Sequence, residues 1–279
     1  MTQAEIRSII VRFPQLSLPV AEGESETEEY RCAARRGEPA GTTPPFCDPG
    51  SILLEQASTP AGTVEILYLA ERQDFLRTYR ALAYRCEPAG IPDAVGACIL
   101  DGLADWSRIR RHREEYEGAG GSDWSMEFRR FTAIKENFRI ALILLSAGVY
   151  SAVPAEKVGI NPVQWKQKSV IIRKYHELCH FVCRKKWPDK KEALRDEVYA
   201  DFVGLMAAFG DYDPHIARLF LGVEGDGFRE GGRLAQYVDG DITGEARRAR
   251  MLIDELDAKL RAGCMCPGPD IWDVLAKVY

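Results

Sequence analysis

From Ser169 to Lys186 the chain runs without a glycine or a proline, and near the middle of that run stands His-Glu-Leu-Cys-His, residues 176–180. With Val170, Ile171, Leu178, Phe181 and Val182 as its apolar side, the run predicts a helix buried along one face. Positions i and i+4 of a helix share a face about 6 Å apart, so His176 and His180 are placed to hold one cation together. Glu177 lies about 100° around the axis from His176, where its carboxylate flanks the cation without having to ligate it. A base that takes a proton from metal-bound water must stand there. The chain has four histidines, and at that frequency such a pattern arises by chance roughly once in several hundred chains.

A catalytic zinc wants a third protein ligand and an open fourth position. Asp196, Glu197 and Asp201 follow on the next expected helix, beyond the break at Trp187-Pro188-Asp189. His180 is eight positions before Pro188 and Glu197 nine after it, so an antiparallel hairpin brings them to nearly the same height. Glu197 is therefore the expected third ligand. Asp201 is one turn further on the same face, at the height of His176, where it can accept a hydrogen bond from the second ring nitrogen. Asp196 points about 100° away and is the weaker candidate. Val198, Ala200, Phe202 and Val203 surround these carboxylates, a composition suited to a buried face.

The sequence His-Glu-Leu-Cys-His followed by Glu197-Val-Tyr-Ala-Asp201 resembles the H-E-x-x-H…E-x-x-x-D arrangement of gluzincin-type zinc metallopeptidases, the thermolysin-like clan. The resemblance covers about 30 of the 279 residues, with a spacer of 16 residues between His180 and Glu197 that is short for that clan. It implies a zincin-like active-site helix. It also implies Zn2+ held by His176, His180 and Glu197, with Glu177 as general base and Asp201 as the partner of His176. An oxyanion donor is sought among His215, Tyr199, Tyr212, Tyr237 and Arg233. Tyr237 is favoured, because the pair Gly231-Gly232 lets the chain bring it toward the site. Members of that clan pair an extended peptide with a strand edge ahead of the metal helix, a role that would fall here to Ile140–Leu145; its apolar composition suits a buried core strand equally well.

The rest of the chain sets bounds on function. At 46% hydrophobic and 28% charged, it is neither too polar to fold nor apolar enough anywhere for a membrane span. A net charge of −5 gives no general electrostatic case for nucleic acid. The N-terminal residues carry Glu5 and Arg7 where a signal peptide would be apolar, so the expected location is cytoplasmic and the eight cysteines are expected reduced. Cys264 and Cys266 supply two soft ligands, too few for a zinc site, unless Cys32 and Cys47 join them.

Residues 3–13 predict a short amphipathic helix, and 19–50, acidic and proline-rich, a tether that could shield the cleft. Val64–Leu69 and Ile140–Leu145 predict strands. Helices are expected around Phe75–Ala83, from Pro92 through Ile99, Leu103 and Trp106, over 126–138, and then at 169–186, 191–209, 214–221, 244–262 and 270–278. The fold class is α+β and mostly helical, with a small sheet ahead of a helical half. Residues 1–50 would be an N-terminal helix and tether, and 51–279 a single catalytic domain with a subdivision near 155–168. The expected activity is a zinc-dependent hydrolase, a metallopeptidase acting on a peptide or protein substrate through Glu177-assisted attack of zinc-bound water. Two alternatives stand beside it: a zinc-holding regulatory protein without general proteolysis, and a metal-dependent tailoring enzyme.

Overall fold

The computed structural model describes residues 1–41, 46–238, 240–263 and 271–279. The chain forms two compact units, the first made of residues 1–57, 64–91 and 99–146, the second of 58–63, 92–98 and 147–279. The class is α+β, mostly helical, with a four-stranded sheet ahead of a helical half. Among the described residues no helix is long and apolar enough to cross a membrane.

In the first unit, β1 (Leu53–Thr59), β2 (Gly62–Leu69), β3 (Ala97–Ala104) and β4 (Arg139–Ser146) form a sheet in the order β1-β2-β4-β3. β2 and β4 run parallel, with Glu65 opposite Leu142 and Leu69 opposite Ser146. Residues Leu142 to Ser146 are buried without alternation, as a strand covered on both faces requires. β4 lies between two neighbours, so the expectation that Ile140–Leu145 offers a free edge is overturned; the core-strand alternative is the one realised.

Two further expectations change in this unit. The stretch from Pro92 to Trp106 is not a helix. It contains β3, and the helix α4 (Trp106–Gly118) starts only where the Asp105 carboxylate caps the backbone N–H of Ser107. Gly102 inside β3 adopts φ +75°, a conformation at odds with a helix interior. Residues 19–50, expected as a tether, contain the helix α2 (Glu28–Arg36), capped by Thr27 and ended by Gly37 at φ +73°, with Tyr30 and Ala33 buried. Its acidic first turn and basic last turn suit the helix dipole, which a reading of composition alone overlooks. The N-terminal helix α1 (Gln3–Arg12) carries a Thr2/Glu5 capping box; α3 (Arg72–Ala83) and α5 (Trp124–Ala133) complete the unit.

The second unit is built around a helical hairpin. After the single turn α6 (Ala155–Val158) comes α7 (Pro162–Lys186), which begins seven residues before its expected start. Asn161 caps it and Pro162 occupies its first turn, where no backbone N–H is needed. α8 (Ala193–Phe209) returns along α7 and packs tightly against it: a Cβ added at Gly204 would stand 2.8 Å from the carbonyl oxygen of Ile172. α9 (Pro214–Leu221), the two-residue strands β5 (Val223–Glu224) and β6 (Gly227–Phe228), α10 (Ile242–Arg261) and α11 (Ile271–Val278) surround the hairpin. The core holds Trp165, Ile172, Phe202, Phe220 and Ile253, each fully or almost fully buried. Cys264 and Cys266 lie outside the described residues.

Candidate metal centre

α7 presents His176 and His180 to α8, which presents Glu197 and Asp201 in return. The Nε2 atoms of the two histidines are 3.1 Å apart; Glu197 Oε2 is 3.4 Å from His176 Nε2, and Glu197 Oε1 is 3.2 Å from His180 Nε2. A tetrahedral zinc with ligand bonds of 2.0–2.1 Å needs donors about 3.3–3.4 Å apart. The three side chains thus form a face of the right size for such an ion. Among the described residues nothing donates a hydrogen bond to the buried Glu197 Oε2, an orphan acceptor that a cation would satisfy. Among the described residues this is the only group of three or more metal-ligating side chains.

The electrostatics ask for a positive charge at the same place. Burial pushes the His176 pKa down, but the hydrogen bond to Asp201 and the nearby Glu197 carboxylate outweigh it and hold it up at about 9. Burial would raise the Glu197 carboxyl, yet His180 and His176 carry it well below the usual carboxylate range. Each partner favours the charged form of the other, as expected where a cation, proton or metal, belongs.

Behind the triad lies a second layer. The Asp201 carboxylate, 1% exposed, accepts from His176 Nδ1 at 3.0 Å, from the Tyr150 hydroxyl at 2.6 Å and from Arg233 Nη2. Arg233 Nη1 also donates to the Tyr150 oxygen (2.7 Å) and to Ser151 Oγ (3.0 Å). Burial works against the Asp201 charge, but Arg233 and then His176 hold its pKa below the usual value. With Nδ1 committed in this way, the His176 Nε2 atom is the one left for a metal. The turn that delivers Tyr150 is strained: Ser151 and Ala152 have φ of 50° and 54°, in a region costly for residues with a Cβ.

Tyr150 was not anticipated from the sequence. It lies 26 positions before His176 with no periodic relation to the motif, and its only local signal is the glycine-containing turn after β4. Arg233, considered for the oxyanion, is instead committed to Asp201 and Tyr150. Asp196 accepts a hydrogen bond from the Tyr279 hydroxyl and stands outside the triad. His215 is exposed at the start of α9, Tyr212 packs on Phe202, and Tyr199 meets the ring of Tyr279; none of them joins the triad.

Two cavities border the triad. One, of about 80 Å³, is lined by His176, Glu177, Tyr237, Gly96 and Ala97. Glu177 is 7% exposed and makes no hydrogen bond or ion pair among the described residues. Its carboxylate therefore keeps its lone pairs for whatever enters. Tyr237 shares this cavity, and burial, together with the nearby Glu197 charge, holds its phenol well above the ordinary pKa despite Arg233. The second cavity, of about 310 Å³, reaches His180 and Glu197 from the end where α7 hands over to α8.

The model of one protein family, described as "Family of unknown function (DUF7005)", matches residues 3–259, so the chain belongs to that family. No curated protein and no solved structure matches the chain.

Proposed function

We propose that this DUF7005 member is a zinc-dependent hydrolase, a metallopeptidase cleaving a peptide or amide bond. The observation that carries the reading is the pairing of a ready-made His176/His180/Glu197 face with a nearly buried Glu177 carboxylate, unpartnered among the described residues, on the adjoining cavity. A carboxylate kept free of protein partners beside a metal-ligand face is available for proton transfer. Bound zinc would supply a Lewis acid for water and for the scissile carbonyl.

The protein's own residues do the rest. Glu177 takes the proton from the attacking water and passes it to the leaving amine. Asp201, fixed by Arg233 and Tyr150, holds His176 in the tautomer that leaves Nε2 free. Tyr237 donates to the developing oxyanion, a role supported by its place on the same cavity as Glu177.

The test is Glu177→Gln. It keeps size and leaves the triad intact, so zinc by elemental analysis should stay near one per chain while turnover of a mixed peptide library falls by roughly 10²- to 10⁴-fold. Wild-type turnover in a zinc-loaded variant would remove Glu177 from the mechanism. A second reading, a zinc-holding regulatory protein that cleaves nothing, is favoured by one observation: the Glu177 cavity is about 80 Å³, well below the volume of ordinary ligand pockets. A zinc-loaded wild type that cleaves no library peptide would select it.

A further inference from the structure

The larger cavity has a chemistry of its own. Its apolar wall is the stacked pair Trp187 and Tyr279, with ring centroids 4.8 Å apart, and Cys183 adds to it. Arg184, at the end of α7, and Lys191, before α8, also line it. Both are exposed, and among the described residues neither makes a hydrogen bond or an ion pair. The main-chain oxygen of Tyr279, on the same cavity, accepts from Lys190 Nζ at 3.1 Å, and the two carboxylate side chains there are engaged as well. Asp196 is occupied by the Tyr279 hydroxyl at 2.8 Å and the Glu192 backbone N–H at 3.2 Å, with Arg195 at 3.9 Å. Glu197 faces the histidine pair. The cavity is thus lined by two of the candidate metal ligands, by an aromatic pair and by two cations that make no hydrogen bond or ion pair among the described residues.

We infer that this cavity receives an anionic group of the substrate, a carboxylate on a short apolar stem, held by Arg184 and Lys191. The inference rests on the hydrolase reading and specifies its substrate class: peptides bearing an acidic residue or a free carboxylate near the bond cleaved. Guanidinium and ammonium donors on a partly enclosed, apolar-walled site give a carboxylate charge-assisted hydrogen bonds, stronger than neutral ones. The aromatic pair excludes water from the stem.

The probe is glutarate, compared with its uncharged isostere glutaramide, titrated calorimetrically into the full chain as purified and into Arg184→Gln/Lys191→Gln. Both positions are exposed, and circular dichroism checks that the variant folds. Glutarate should bind wild type at least about tenfold more tightly than glutaramide, and the double variant should lose that advantage. Direct ligation of a metal by the carboxylate would be equal in the two proteins, so the difference between them isolates the basic pair. Equal binding of the two probes, or glutarate binding unchanged in the variant, would overturn the inference.

A cleavage screen separates the two claims. Peptides cleaved without acidic preference would sustain the hydrolase reading and sink this one. Glutarate binding that depends on the basic pair, with no peptide cleaved, would sink the hydrolase and leave the anion site.

Discussion

Arg233 and Asp201 form a buried pair whose removal cannot be neutral, because each would leave the other's charge without compensation. Arg233→Met should cost about 3–5 kcal/mol of stability, measured by denaturant unfolding, since Asp201 and the Tyr150 hydroxyl lose their donor in a buried site. Asp201→Asn should cost less and act on the metal instead, weakening zinc affinity by roughly 10- to 100-fold in a chelator competition. If Asp201→Asn left zinc affinity untouched, the hydrogen bond to His176 Nδ1 would have no part in holding the metal. At this scale the sequence was legible where chemistry and helical spacing coincide. His176, Glu177 and His180 are read from a five-residue word, and Glu197 follows from counting away from Pro188. Tyr150 and the role of Arg233 were not legible, because hydrogen bonds between residues 83 positions apart obey no local period.

The hairpin of α7 and α8 is the element on which the site depends. Ile172 lies 16 positions before Pro188 and Gly204 16 after it, and their contact continues the pairing of His180 with Glu197 and His176 with Asp201. Gly204→Ala would gain up to about 1 kcal/mol of helix propensity. The added methyl, however, meets the Ile172 carbonyl at 2.8 Å and its Cγ2 at 2.9 Å, both on the tightly packed partner helix. Overpacking of that kind costs about 1–3 kcal/mol, so the net effect should be a lower melting temperature and weaker zinc binding together. A more stable Gly204→Ala protein with unchanged zinc affinity would show that the helices can part without disturbing the ligands. Helices with strong caps or long periodic faces were readable in advance. The exposed edge strand β1 was not, since its side chains are mostly exposed and show no alternation, and β3 was mistaken for helix because its apolar residues also fit a helical period.

For the molecule as a whole, each unit carries a test of its own. All three candidate ligands lie in the second unit, so zinc at about 100 times its dissociation constant should stabilise the fold by about 2.7 kcal/mol, and a chelator should remove that gain in a thermal melt. In the first unit, burial raises the Cys86 thiol to about 12 from its ordinary 9, with Glu24 adding to the rise. A raised pKa in the folded state contributes stability that is complete below about 9 and is lost as the pH climbs toward 12. Cys86 should accordingly resist a thiol reagent at pH 8 in the native protein and react on unfolding; rapid native labelling at Cys86 would contradict its burial. The sequence by itself determined the α+β class and the pairing of His176 and His180 with Glu197 in a group that could hold a metal, because periodicity, breakers and hairpin counting are local rules that a chain obeys before it packs. Only the tertiary structure decided that β4 is enclosed, that a strained turn delivers Tyr150, that Arg233 serves Asp201, and that Arg184 and Lys191 border the larger cavity. Those depend on which distant segments meet, and burial, charge compensation and enclosed volume exist only once they have met.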